Sequence, residues 1–164
     1  MLRRWIVLLL CLASVILGRS DALTISPMAA QAASCPITQP NPATTPPSSI
    51  DPSSRPAGLN WLWYGNRYLW TQLPPASTAR EKKGAGVKFP WWRLLSGKLS
   101  ITGHPVGAST PRLRADIPDG YGDLGFQATG LYFPSYGCWR ITGHVHGKNI
   151  SFVLKVKPAK NSSP

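Results

Sequence analysis

From residue 59 to residue 157 the chain alternates short runs of aromatic and β-branched residues with glycine and proline. This pattern is typical of closely spaced β-strands. No segment has a sustained helical period, so the only helix expected is about one turn near 76–83. The predicted strands are 60–64, 67–72, 87–93, 98–103, 126–133, 138–146 and 149–156, with a weaker one at 111–117.

The last two predicted strands form the clearest hairpin. Trp139 and Ile141 alternate with Arg140 and Thr142, and the pattern resumes after a turn around Gly147. Because successive side chains of a strand point to opposite faces, one face of this hairpin is apolar. Short strands separated by regular turn signals predict an all-β domain built as a two-layer sandwich rather than a barrel.

The N-terminal segment has the features of a signal peptide. Arg3 and Arg4 precede an apolar run at 5–17, which is too short to span a bilayer comfortably. Small residues permit cleavage after Ala22 or after Ala32, and the sequence does not decide between them. An uncleaved N-terminal anchor is the alternative, and both interpretations place the domain outside the cytoplasm.

The remainder divides into three predicted parts. Residues 33–58 are rich in proline, serine and threonine and form a tether that favours extended, polyproline-like conformations. Residues 59–157 form the β-sandwich domain, and residues 158–164 form a disordered tail.

Two cysteines remain once the leader, which contains Cys11, is set aside. In an oxidising compartment Cys35 and Cys138 are expected to form a disulfide, which would pin the tether along the domain. Two alternatives stay open. Cys35 follows small residues and is a possible lipidation site, although it lies far behind the apolar run, or both thiols are free.

The chain is strongly basic, with 18 Lys and Arg, 6 Asp and Glu, and a net charge of +12. Without residues 1–32, 15 basic and 5 acidic side chains remain, a net charge of +10. Such a field attracts polyanions, and outside a bacterial cytoplasm these are anionic lipids, wall polymers or acidic polysaccharides. Nucleic acid is not an expected partner. The alternative is that the charge serves solubility alone.

Three stretches carry a resemblance: FPSYGCWRITGHVHGKNISFVLKV (133–156), WLWYGNRYLWTQLP (61–74) and KFPWWR (88–93). Together they resemble an uncharacterised family of secreted bacterial proteins in which a proline-glycine-cysteine-tryptophan turn precedes a final hairpin. The resemblance implies an immunoglobulin-like domain with a second cysteine near the mature N-terminus. This chain has Tyr136 where proline usually precedes Gly-Cys-Trp. The resemblance implies neither an activity nor catalytic residues.

The supply of catalytic groups is thin, and we expect no enzyme, no cofactor and no metal. Asp119 and Asp123 lie in one glycine-rich loop without the spacing of an EF-hand. His144 and His146 are two apart on a predicted strand, so their rings would share a face, but a zinc site needs a further ligand, for which only His104 is available. No serine occupies a Gly-x-Ser-x-Gly elbow.

Aromatic density is the most unusual feature. Seven tryptophan and tyrosine residues fall within about thirty positions: Trp61, Trp63, Tyr64, Tyr68, Trp70, Trp91 and Trp92. Alternation places Trp61 and Trp63 on one face and Trp91 and Trp92 on opposite faces, so some indole is expected to be exposed. The candidate ligand-binding aromatics are Trp63, Tyr68, Trp91 and Trp92, and the candidate polyanion contacts are Arg67, Lys88 and Arg93. The competing interpretation is core filling with cation–π contacts.

These features predict a non-catalytic extracytoplasmic module with a binding or accessory role at the cell envelope. Its expected partner is an envelope glycan, an anionic lipid surface or an envelope protein. One alternative is a carbohydrate-binding domain with an aromatic platform, and another is a purely structural or assembly domain. The sequence does not predict the oligomeric state.

Overall fold

A computed structural model of the chain describes residues 34–51, 60–82 and 84–159. The chain divides into units 1–33 and 34–164, and every described residue belongs to the second unit. The predicted leader and both cleavage sites therefore lie outside the described residues, as does most of the predicted tail. Within the described ranges no helix has the length and apolar character needed to cross a membrane.

The described residues form nine strands and one short 3-10 turn. The strands are β1 Leu62–Gly65, β2 Leu69–Leu73, β3 Thr78–Glu81, β4 Val87–Arg93, β5 Leu99–Pro105, β6 Arg114–Asp116, β7 Gly125–Tyr132, β8 Gly137–Val145 and β9 Lys148–Pro158. Each predicted strand has a counterpart, the weaker one as the short β6. The single helical turn expected near 76–83 is a 3-10 turn that lies slightly earlier, at Pro75–Ser77, and β3 follows it at once.

The strands form two sheets. Sheet A has the order β1-β2-β4-β7-β6, and sheet B has the order β3-β9-β8-β5. All neighbours are antiparallel except β3, which pairs in parallel with β9. The orders β2-β4-β7-β6 and β5-β8-β9 reproduce the ABED and CFG sheets of an immunoglobulin constant-type sandwich. The predicted β-sandwich is confirmed, with β1 and β3 as added edge strands.

Large side chains from both sheets interlock between the layers. The ring centroids of Trp91 in sheet A and Phe152 in sheet B are 5.9 Å apart. Trp91 is 0% exposed and Phe152 is 1% exposed. The Trp91 indole packs directly on the backbone of Gly143, where an added Cβ would lie 2.7 Å from Trp91 Cη2. Glycine at 143 therefore makes room for the largest side chain of the core.

The described part of the predicted tether wraps around the sandwich, and we call residues 34–51 the strap. Cys35 is disulfide-bonded to Cys138, with the two Cα atoms 5.6 Å apart, as predicted. Thr38 then pairs with the edge of β9, since its N–H donates to the Val153 carbonyl and its Oγ1 accepts from the Val153 N–H. Ile50, at the far end, packs on the outer side of sheet A. The strap thus passes from sheet B to sheet A.

Candidate ligand-binding faces

The outer side of sheet A carries a tryptophan cluster that the strap helps to cover. Trp63, Trp70 and Trp92 pack with Ile50, and the centroids of Trp63 and Trp92 are 4.7 Å apart. Trp63 is 2% exposed and Trp92 is 4% exposed. The expectation that some of the predicted indoles would be open to solvent was wrong for both, because the sequence pattern does not reveal that the strap returns over this face.

Two of the other aromatic predictions need correction. Trp91 is fully buried between the sheets, so it is not available to stack on a ligand. Trp61 and Trp63 do not share a face: Trp61 packs against the central core beside Phe89, whereas Trp63 joins the outer cluster. The strand begins at Leu62, so strand alternation does not constrain Trp61.

Tyr68 lies in the tight connection between β1 and β2, where Asn66 Oδ1 accepts the N–H groups of Tyr68 and Leu69. Its ring is half-buried between two cations, with Arg67 Cζ 4.7 Å and Lys148 Nζ 5.5 Å from the centroid. This is the cation–π shielding that formed the competing interpretation. Arg67 itself is exposed.

An exposed apolar patch next to the tryptophan cluster was missed by the sequence reasoning. We call Tyr121 and Phe126 the aromatic patch; they are 36% and 43% exposed, and Leu124, two residues before Phe126, is 58% exposed. The Phe126 centroid lies 5.2 Å from that of Trp92 and 5.9 Å from that of Tyr121. The patch therefore continues the covered cluster into solvent.

A cleft opens beside the aromatic patch, and we call it the outer cleft. Its volume is about 310 Å³, and its lining includes Lys88, Asp116, Tyr121, Gly130 and Tyr132. Gly130 has no side chain to fill the cleft, and a Cβ at this position would lie 3.2 Å from the Tyr132 ring. Lys88 is exposed, and of the three predicted polyanion contacts it is the one in this lining.

Tyr132 at the cleft is held by a neighbouring cation. The guanidinium Cζ of Arg114, on β6, lies 3.7 Å from the Tyr132 ring centroid. β6 pairs with β7 so that Arg114 is directly opposite Tyr132. A cation above one ring face helps to hold the ring in place beside the cleft.

Arg93, one of the predicted polyanion contacts, is buried and does not lie on the surface. It is 1% exposed, and it donates from Nη1 to the Gly97 carbonyl at 3.0 Å and from Nη2 to the Tyr121 carbonyl at 3.2 Å. Burial lowers the pKa of Arg93, and the charge of Asp123 acts against that shift. Arg93 therefore fastens the loop that displays Tyr121 instead of meeting a polyanion on the surface.

The histidines predicted to share a strand face are separated. His144 points outward from β8, with Nε2 3.5 Å from Thr102 Oγ1. β8 ends at Val145, and His146 sits in the following turn with a φ of 44°, so the alternation stops before it. Within the described ranges, no three His, Cys, Asp or Glu side chains are grouped as metal ligands.

Comparison with protein-family models, with curated proteins and with solved structures finds no match for this chain. The structure itself shows an immunoglobulin-like sandwich, strapped by a disulfide, with an aromatic patch and a cleft on the outer side of one sheet.

Proposed function

We propose that this protein is a non-catalytic binding module outside the cytoplasm that holds an envelope glycan on the outer side of sheet A. The observation that carries the proposal is the pair of exposed, mutually contacting rings of Tyr121 and Phe126 beside the outer cleft. Exposed aromatic faces next to polar groups suit sugar rings, whose apolar faces stack and whose hydroxyls need hydrogen bonds.

The rim of the cleft supports a polar and partly anionic ligand. Lys88 and Asp116 line the same cleft, so hydroxyls can donate to the carboxylate while an acidic substituent meets the ammonium group. From Phe126 to Tyr132 the strand β7 extends for about 20 Å at the usual rise per residue. That length suits a short stretch of polysaccharide better than a single small molecule.

Two features support the extracytoplasmic assignment. The N-terminal sequence has the basic residues and apolar run of a secretory signal. The Cys35–Cys138 disulfide is a bond that persists in oxidising compartments and is rare in the cytosol.

The test is a titration of the purified protein with neutral and acidic wall-polysaccharide fragments, followed by tryptophan fluorescence. Trp92 contacts Phe126, so ligand on the patch is expected to change the emission. Tyr121→Ala and Phe126→Ala are each expected to weaken binding by about 2- to 12-fold, the usual value of one aromatic contact.

Tyr136→Ala is the matched control, because Tyr136 is 48% exposed but is not part of the patch. It is expected to leave the affinity unchanged. An equal loss in all three variants, or unchanged emission across the whole panel of glycans, would contradict the proposal.

A further inference from the structure

The outer side of sheet B differs sharply from that of sheet A, because its charged side chains are all basic. Arg80 of β3, Arg140 of β8, and Lys155 and Lys157 of β9 occupy outward positions, alternating with buried neighbours. We call these four residues the basic row. The strand register brings them together, since Arg80 is directly opposite Lys157, and Arg140 lies opposite Val153, two residues from Lys155.

The described acidic residues lie elsewhere. Asp116 is on β6 of sheet A, Asp119 and Asp123 are in the loop before β7, and Asp51 follows Ile50 of the strap. Glu81 is on β3 but is 3% exposed. Among the described residues, no carboxylate therefore faces outward from the strands of sheet B.

Val153, which is 6% exposed beside Thr38 of the strap, and the Cys138 disulfide also lie on this face, and most of the remaining outward residues carry hydroxyl groups or imidazole. Its other outward residues include Ser100, Thr102, His104, Thr142, His144 and Ser151. Thr142 and Ser151 are joined by a 3.0 Å hydrogen bond between their hydroxyl oxygens. Such a surface presents cations and hydroxyl groups together on one sheet face. This suits contact with the phosphate headgroups of a membrane and not insertion into its hydrocarbon core.

The polypeptide enters the domain on the same face. Cys138 points outward from β8, directly opposite Lys155, and is bonded to Cys35. Residues 1–33 precede this point in the chain. The described chain therefore begins, at Ser34 and Cys35, on the same face as the basic row.

We propose that the basic row docks the domain on the anionic lipid surface of a membrane. In this orientation sheet B faces the headgroups and the aromatic patch of sheet A faces away, free to meet a partner. Each basic residue near such a surface strengthens partitioning by about fivefold at moderate salt. The four residues together therefore account for roughly several hundredfold, an effect that falls steeply as salt shortens the screening length.

The experiment is co-sedimentation of the full mature chain with vesicles of phosphatidylcholine, with and without about 30 mol % phosphatidylglycerol. The variant Arg80→Gln/Arg140→Gln/Lys155→Gln/Lys157→Gln removes the row. The matched control Arg67→Gln/Lys88→Gln/Lys98→Gln/Arg114→Gln removes the same charge from other parts of the surface. Tryptophan emission of each variant verifies folding.

We expect binding of the unmodified chain to the anionic vesicles alone, a loss of about a hundredfold or more in the row variant, and a much smaller loss in the control. An equal loss in both variants would overturn the proposal, because net charge and not this face would then be responsible. Binding to the neutral vesicles would overturn it as well. So would stronger binding to a soluble glycerol-phosphate polymer than to the vesicles, since the phosphate would then come from wall polymer and not from lipid.

Discussion

Loss of the disulfide is the perturbation whose cost follows most directly from the structure. Cys35 and Cys138 are 103 residues apart in sequence, so their bond closes most of the described domain into one loop. In the chain-entropy model a loop of this length stabilises the fold by about 4.7 kcal/mol, and measured losses for native disulfides are about 2 to 5 kcal/mol. Because domains are stable by only about 5 to 15 kcal/mol, the double variant Cys35→Ser/Cys138→Ser is expected to lose a large part of its stability.

The assay is urea unfolding followed by tryptophan fluorescence. With an m-value of about 1 to 3 kcal/mol/M, a loss of about 2 to 5 kcal/mol lowers the midpoint by roughly 1 to 5 M. Replacing both cysteines leaves no free thiol to form a wrong bond. Reduction of the unmodified protein provides the control and is expected to give the same midpoint as the double variant.

A second variant separates the contribution of the strap's packing to stability from that of the disulfide. Ile50 is 2% exposed and packs on the tryptophan cluster at the far end of the strap. Ile50→Ala in the oxidised protein is expected to cost about 2 to 5 kcal/mol. If the strap acts as a unit, the effects of Ile50→Ala and of disulfide loss are not additive. A midpoint that does not move when the disulfide is removed would show that the bond does not stabilise the fold.

Three further predictions follow from particular contacts. Gly143→Ala forces a methyl group against Trp91 and is expected to destabilise the fold by about 1 to 3 kcal/mol in thermal or urea unfolding; an unchanged midpoint would mean that the two sheets do not meet there. Burial raises the pKa of Tyr64, so stability is expected to be full below the ordinary value of 10.0 and to fall as pH rises above it; Tyr64→Phe should remove part of this fall. Arg93→Met removes two hydrogen bonds to loop carbonyls and is expected to speed amide exchange in 119–125; unchanged exchange there would contradict the role given to Arg93.

The sandwich could be predicted from the sequence because apolar and polar residues alternate along most of its strands. In β9, for example, Ile150, Phe152 and Leu154 face the core while Ser151 and Lys155 face outward. β3 has no such signal. Its four residues, Thr-Ala-Arg-Glu, become a strand because β9 offers a free edge for parallel pairing, which is a contact between residues about 77 positions apart.

The candidate site was less predictable because it depends on which face the strap covers. Trp92 and Phe126 are neighbours on the same outer side of sheet A, yet one is 4% and the other 43% exposed. In β7 the pattern is also inverted at its start, since Phe126 is exposed while Gln127 is 6% exposed. The alternation along β7 contains the available sequence signal, because Leu131 faces the core and Phe126, five residues earlier, must then face outward.

The proposed function requires ligand to bind on the outer side of sheet A, at the aromatic patch and the outer cleft. Amide NMR spectra of the isotope-labelled mature chain, titrated with acidic wall-polysaccharide fragments, can locate the bound ligand residue by residue. We expect chemical-shift changes concentrated at Lys88, Tyr121, Phe126 and Tyr132. Changes confined to the strands of sheet B, or an unchanged spectrum with every fragment, would contradict it.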